Sequence, residues 1–281
     1  MPRLSVILPA HNAARYVGAA VRSTLRALPR DGEIVVYDDA STDGTGDIVR
    51  AIGDPRVRVA DDCSHRGLVG ALNYLLEHTD SAIVARMDAD DICLPWRFTR
   101  QLAAVHRAPV VFSALVPFGG GRIPVPGAPY RLDGFGSRLA LLIDNPMSHP
   151  SMVARRESLA AVGHYRPGAA EDWELWLRLA TADHALVRLG TPCLAMRFHP
   201  GSVSAAHGYR ERLAADAQLT GSYAAFARRV LGPDVPDIGD RALFEQRLTL
   251  LGPAIKARAA TLPPPARLVI EASLLRSARL G

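Results

Sequence analysis

Three aspartates within four positions, Asp88, Asp90 and Asp91, end the apolar run of IVARMDADDICLP (83–95). Neighbouring like charges repel, so the cluster needs either a compensating cation or a local backbone role. At a strand tip the Asp88/Asp90 spacing directs two carboxylates into one space. Mg²⁺ and Mn²⁺ take such oxygen ligands and complete their shells with substrate phosphates. The other reading is an acidic turn capping the helix that begins near Pro95. A second cluster, YDDASTDGTG (37–46), also follows an apolar run. There Ser41, Thr42 or Asp43 reads as an N-cap and Gly44 as a turn residue. A carboxylate of the Asp38/Asp39 pair is left to accept a hydrogen bond from a nucleobase N–H or a ribose hydroxyl. In the third, GAAEDWELWLRLA (168–180), Glu171 and Asp172 open a helix whose dipole favours acidic groups.

These clusters sit at recurring places. Short apolar runs at 4–8, 33–37, 57–60 and 82–87 are each followed by a helical pattern, at 17–28, 47–52, 68–77 and 95–106. Four strand–helix units in series predict an α/β fold with a Rossmann-like, mostly parallel sheet flanked by helices. Right-handed crossovers place all the strand C-termini on one rim, where open parallel sheets bind ligands. The acidic clusters at 38–42 and 88–91 then become neighbours of Pro9–Asn12. Residues 119–136, rich in Gly and Pro, read as a long loop. A mixed region follows, with two short strands at 185–199. Residues 208–281 read as an arginine-rich C-terminal helical appendage, broken at Gly232-Pro233, Gly252-Pro253 and Pro263–Pro265.

Composition removes several chemistries. At 281 residues and 48% hydrophobic, the chain can bury the core of one sizeable domain, with or without an appendage. Net charge is +5, yet Lys256 is the only lysine. It follows no glycine-rich turn, which excludes a P-loop and makes Schiff-base chemistry improbable. Basic residues are scattered and aromatics are 6%, so no nucleic-acid surface is predicted. Cys63, Cys93 and Cys193 form no C-x-x-C pair and read as reduced, buried thiols. No H-E-x-x-H or His/Cys cluster is present, and no G-x-S-x-G elbow. Without a long apolar run or a signal-peptide pattern, the chain is expected to be soluble and cytoplasmic.

Six segments in order resemble the family 2 glycosyltransferases of the GT-A fold: LSVILPAHNAARYV, VVYDDASTDGT, HRGLVGALNYLL, ARMDADDICLP, the stretch NPMSHPSMV to EDWELWLRLA, and MRFHPGSVS. The resemblance covers roughly residues 3–205. It implies a GT-A domain over 1–207, with a nucleotide-binding half at 1–116 and an acceptor half at 117–207, followed by the helical region 208–281. It also implies a nucleoside-diphosphate sugar donor, UDP-sugar favoured, and Mn²⁺ or Mg²⁺ as cofactor. Asp39 would hold the base beside Pro9, Ala10 and Asn12, with Arg66 assisting. Asp88 would meet the ribose or metal, and Asp90 and His199 the metal and diphosphate. Asp172 would be the general base for inversion, with His149, Glu171 and Trp173 on the side of a saccharide, lipid-linked or small-molecule acceptor.

His65 departs from the Asn common at its position, which bears on Arg66. The absence of Q-x-x-R-W points to single transfer rather than chain extrusion. Two alternatives are a sugar-nucleotide nucleotidyltransferase, for which LPAHNAARY lacks the glycine-rich basic loop, and a non-catalytic nucleotide-sugar-binding relative. The basic C-terminal helices suit either a peripheral anionic membrane contact or packing on the catalytic domain or a second subunit.

Overall fold

The computed structural model describes residues 3–60, 64–121, 123–126, 129–199, 208–236, 238 and 244–280, with no side-chain description for 209–210 and 278–280. The expected parallel units form. Strands β1 (Leu4–Ala10), β2 (Gly32–Asp38), β3 (Val57–Ala60) and β4 (Ile83–Arg86) pair in parallel, Leu4 with Gly32 and Ile83, and Ile34 with Val57. Helices α1 (Val17–Ala27), α2 (Thr45–Arg50) and α3 (Gly67–Glu77) make the crossovers. β1 is apolar on both faces because both are covered: Leu4, Val6, Ile7 and Leu8 are all fully buried.

Beyond β4 the sheet becomes mixed. Strand β5 (Ile92–Cys93), helix α4 (Arg97–Val105), β6 (Val110–Phe118), β7 (Val153–Arg155) and β8 (Leu186–Arg197) complete an eight-stranded order β3-β2-β1-β4-β7-β6-β8-β5. β7 runs antiparallel to both β4 and β6, and β5 antiparallel to β8. The two short strands expected at 185–199 are one continuous strand, since Pro192 does not interrupt it.

The chain separates into two compact units. The first comprises Met1–Pro129, Ser148–Tyr165 and Leu189–Pro200, and holds nearly all of the sheet. It includes the short helix α6 (Arg156–Ala161). The second comprises Tyr130–Met147, Arg166–Arg188 and Gly201–Gly281. Its helices are α5 (Gly134–Ile143), α7 (Glu171–Thr181), α8 (Tyr209–Ala215), α9 (Ala217–Leu231), α10 (Arg247–Ala259) and α11 (Pro264–Leu280). α9 packs on α7, and α11 on α5. The 119–136 loop is shorter than expected, because α5 begins at Gly134 and Leu132 bridges to Arg188. Gly252-Pro253 does not break the chain either. Pro253 lies inside α10, whose packed residues Leu251, Ile255 and Ala259 carry the helix past the missing N–H. Cys93 and Cys193 are buried free thiols, as expected, and Cys63 lies outside the described residues.

One buried cation ties β4 to its neighbours. Arg97 is fully buried at the start of α4 and donates to the Arg86 carbonyl at 2.7 Å, the Pro150 carbonyl at 2.9 Å and Gln101 Oε1 at 3.0 Å. Truncation to alanine strands these acceptors in a dry interior, at about 1–3 kcal/mol each. Arg97→Ala should therefore lower unfolding stability by about 3 kcal/mol or more in urea titrations at unchanged m value. Arg97→Lys should recover less than half of the loss, because a point donor cannot reproduce the fork.

Candidate active site

The rim formed by the ends of β1, β2 and β4 carries the first two acidic clusters. Ala10 pairs with Asp38 across β1 and β2, and its carbonyl accepts the Asp39 N–H at 2.8 Å, so the backbone beside Pro9 sets the position of Asp39. The Asp39 side chain is buried and turns toward the start of α3. Its Oδ1 accepts the Arg66 N–H at 2.5 Å, and its Oδ2 the Gly67 N–H at 3.0 Å. Gly67 has φ +67°, a conformation that favours glycine, and this turn aims both N–H groups at the carboxylate. The Arg66 side chain goes elsewhere: its Nε donates to the Tyr37 hydroxyl at 3.0 Å and its guanidinium lies 4.8 Å from the Tyr74 ring centre.

Asn12 is a latch between loops. Its Oδ1 accepts the Thr42 N–H at 2.9 Å and its own N–H donates to Ser41 Oγ at 2.9 Å. Asp43 closes the same turn, accepting from the Thr45 hydroxyl at 2.5 Å and the Ala14 N–H at 2.9 Å. The Thr45 hydroxyl, opposed by a small burial effect and aided by backbone N–H groups, holds its carboxyl below the usual range.

At the end of β4, oxygens of Asp88, Asp90 and Asp91 lie within 4.8 Å of one another. Asp88 pairs with Arg86, the last residue of the strand, whose side chain is buried. Burial opposes the Arg86 charge, but Asp88 beside it prevails and raises its pKa. Among the described residues, Arg86 Nε and Nη1 have no hydrogen-bond partner, and neither has Asp91 Oδ2. Asp91 caps no helix: its Oδ1 accepts the Arg197 N–H of β8 at 2.8 Å. Burial and the charge of Asp88 push its pKa up to about 8. His199 Nε2 meets Asp90 Oδ2 at 2.9 Å, and Arg197 Nε donates to the Asp90 carbonyl at 2.8 Å. Arg197 lies over the Tyr16 and Phe118 rings, 4.5 and 4.4 Å from their centres. Three half-buried or buried carboxylates with an adjoining imidazole are hard oxygen donors plus one nitrogen, a set that suits Mn²⁺ or Mg²⁺.

The third cluster belongs to the second unit. Asp172, in the first turn of α7, is half-buried. Its Oδ2 accepts from Asn145 Nδ2 at 2.9 Å and its Oδ1 the Trp173 N–H at 2.6 Å. Glu171 is half-buried beside it. Trp173 lies in the packed interior, donating to the Leu141 carbonyl at 3.2 Å and meeting Tyr223 edge-on. His149, in the first unit, is also interior, with Nε2 2.9 Å from the Tyr165 hydroxyl.

Arg86, Arg197 and Asn145 lie inside the segments that carry the resemblance, but sequence reasoning gave them no role. One signal was available, since an arginine ending a strand buried on both faces must have a charged partner near it. The pairing of His11 with His65 also escaped notice, because 54 positions separate two rings that the fold brings together beside Asp39.

Comparison with known proteins gives the family and the fold. The sequence model of Glycosyl transferase family 2 matches residues 5–163, more than half of the chain. The amylovoran biosynthesis glycosyltransferase AmsE of Erwinia amylovora is 33% identical over 141 residues, 48% of this chain and 52% of AmsE. The chain spans 43–66% of the length of the first curated relatives it matches. S. aureus TarS 1–349, solved with UDP-GlcNAc, superposes with a TM-score of 0.65 at 17% identity over 99% of this chain and 90% of that one. The mannosyltransferase PcManGT of Pyrobaculum calidifontis, solved with GDP-Man and Mn²⁺, gives 0.58 at 22% identity, over 99% and 86%. The mostly parallel sheet with its flanking helices is thus the fold of these GT-A structures, and the chain belongs to glycosyl transferase family 2.

Proposed function

We propose that the protein is an inverting, metal-dependent glycosyltransferase that moves a sugar from a nucleoside-diphosphate sugar, UDP-sugar favoured, to an acceptor hydroxyl in polysaccharide or other glycoconjugate synthesis. The observation that carries the reading is the shared rim: Asp39, oriented by two backbone N–H groups, and the Asp88/Asp90/Asp91 cluster joined by His199. The donor-binding half is assigned to 1–116 and the acceptor half to 117–207.

In this reading Asp39 accepts a hydrogen bond from the base, beside Pro9 and Ala10. Asp88 meets the ribose or the metal. Asp88, Asp90 and His199 would hold Mn²⁺ or Mg²⁺, with Asp91 behind them, and a divalent cation bound there would supply Lewis-acid stabilisation to the departing diphosphate. Asp172 takes the proton of the acceptor hydroxyl as the new bond forms at the anomeric carbon with inversion. Asn145 holds the Asp172 carboxylate in orientation for that transfer. The acceptor is a saccharide, a lipid-linked saccharide or a small molecule, and Glu171 is assigned to its recognition. The acceptor-side assignment of His149 and Trp173 is confined to support, because both are interior.

A peripheral contact with an anionic lipid surface belongs to the same reading, supported by exposed Leu268 and Leu275 among Arg267 and Arg276 on α11. No helix among the described residues is long and apolar enough to cross a membrane.

Incubation with a panel of sugar nucleotides, Mn²⁺ and mixed acceptors should release nucleoside diphosphate from at least one donor. Folded protein that releases none from any would overturn the reading. Asp172→Asn should lower kcat about 10²–10⁴-fold while leaving the thermal shift by UDP and Mn²⁺ intact. Asp39→Ala should abolish that nucleotide-dependent shift. Arg86→Met removes the buried counter-charge of the carboxylate cluster, and breaking such a pair costs about 3–5 kcal/mol. Mn²⁺ should therefore raise the melting temperature of Arg86→Met by more than it raises that of the unaltered protein; no shift in either protein would show that the cluster does not take the ion.

A further inference from the structure

The loop after β1 and the segment before α3 bring His11 and His65 to either side of Asp39. The ring centres are 5.1 Å apart, inclined at 53°. His65 Nδ1 is 3.1 Å from Asp39 Oδ2. Nδ1 of both rings faces the Asp39 carbonyl oxygen, at 2.7 Å from His11 and 3.3 Å from His65. One nitrogen from each ring and one carboxylate oxygen lie within 4.8 Å of one another. Both imidazoles are open to solvent, whereas the carboxylate between them is buried. We propose that His11, Asp39 and His65 form a second metal site, selective for a borderline-soft transition ion such as Zn²⁺ or Co²⁺, whose occupation excludes the nucleoside end of the donor.

The donor set decides the class of ion. Two imidazoles and one carboxylate suit Zn²⁺, Co²⁺ or Ni²⁺, whereas the all-carboxylate face of Asp88, Asp90 and Asp91 suits hard ions. Metal–ligand bonds of about 2.0–2.1 Å in tetrahedral geometry set ligand atoms roughly 3.3 Å apart. The His65 Nδ1 to Asp39 Oδ2 separation, 3.1 Å, is close to that value, and the exposed His11 ring closes the remainder by giving up the contact of its Nε2 with Asn12. The carboxylate is oriented by the Arg66 and Gly67 N–H groups, a support of the kind that holds first ligands in place. The Arg66 guanidinium is directed at Tyr37 and Tyr74. His11 needs no deprotonation in the tautomer that donates Nδ1–H to the Asp39 carbonyl, because its Nε2 then carries a lone pair, 3.1 Å from Asn12 Nδ2.

The exclusion of nucleotide rests on the reading that Asp39 holds the base; the metal site itself does not. The test is a Co²⁺ titration of the full chain in excess Mg²⁺, which occupies the hard-oxygen site, followed by the visible ligand-field bands. One equivalent should develop intense bands that Zn²⁺ bleaches. His11→Ala and His65→Ala should each weaken Co²⁺ binding more than about tenfold. His78→Ala, altering an exposed histidine stacked on Tyr74, should leave the titration unchanged. Absence of the bands, or bands that survive in the His11→Ala/His65→Ala double variant, would overturn the site. UDP should displace the Co²⁺. Bands that persist while a thermal shift reports bound UDP would overturn the exclusion, whereas a protein that binds Co²⁺ but no nucleotide would count against the transferase reading alone.

Discussion

Three carboxylates held within 4.8 Å of one another at the end of a buried strand repel each other, and the surrounding structure is arranged to oppose that repulsion. Arg86 supplies a buried positive charge to Asp88 from inside the sheet. From β8, the Arg197 N–H fixes Asp91, its guanidinium reaches the Asp90 carbonyl, and His199 meets the Asp90 side chain. Even so, among the described residues Asp91 keeps an unpartnered oxygen and Arg86 two unpartnered nitrogen positions. Buried polar atoms left without partners cost free energy, and native proteins concentrate such costs where function needs them.

This constraint is met at the C-terminal end of β8. Next to its pairing with β5 the strand meets the acidic turn, and the chain beyond it delivers Phe198 to the Phe118 carbonyl and His199 to Asp90. The same constraint explains the buried Arg97. By gripping the carbonyls of Arg86 and Pro150, it fixes the strand end from which Asp88 departs. Asp39 is held by a different device: two N–H groups at the start of α3 satisfy its carboxylate, helped by the left-handed turn at Gly67. The rim therefore offers two acidic sites with unlike surroundings, one of clustered carboxylates and one of a carboxylate between imidazoles.

Most of the parallel half was legible from residue pattern. Continuous apolar runs at β1, β2 and β4 require both faces to be covered, and only a parallel sheet with crossover helices does that. The mixed half was less legible, since β7 is three residues long and its pairing with β4 and β6 depends on contacts remote in sequence. Proline was an uneven guide: Gly232-Pro233 and Pro263-Pro264 fall at helix ends, yet Pro192 interrupts no strand and Pro253 no helix, because local propensity yields to packing when neighbouring residues are buried.

The sequence by itself determined the strand–helix order, the acidic clusters at 38–39 and 88–91, and the family, because these depend on short-range pattern and motif order. Tertiary structure decided what each charged group faces. The Arg86 pairing, the tether from Arg197 to Asp91, the Asn145 hold on Asp172 and the gathering of His11 and His65 around Asp39 join residues that no local period connects. Electrostatic partners are selected by distance in space and by exclusion of water, and neither quantity exists until the chain has folded.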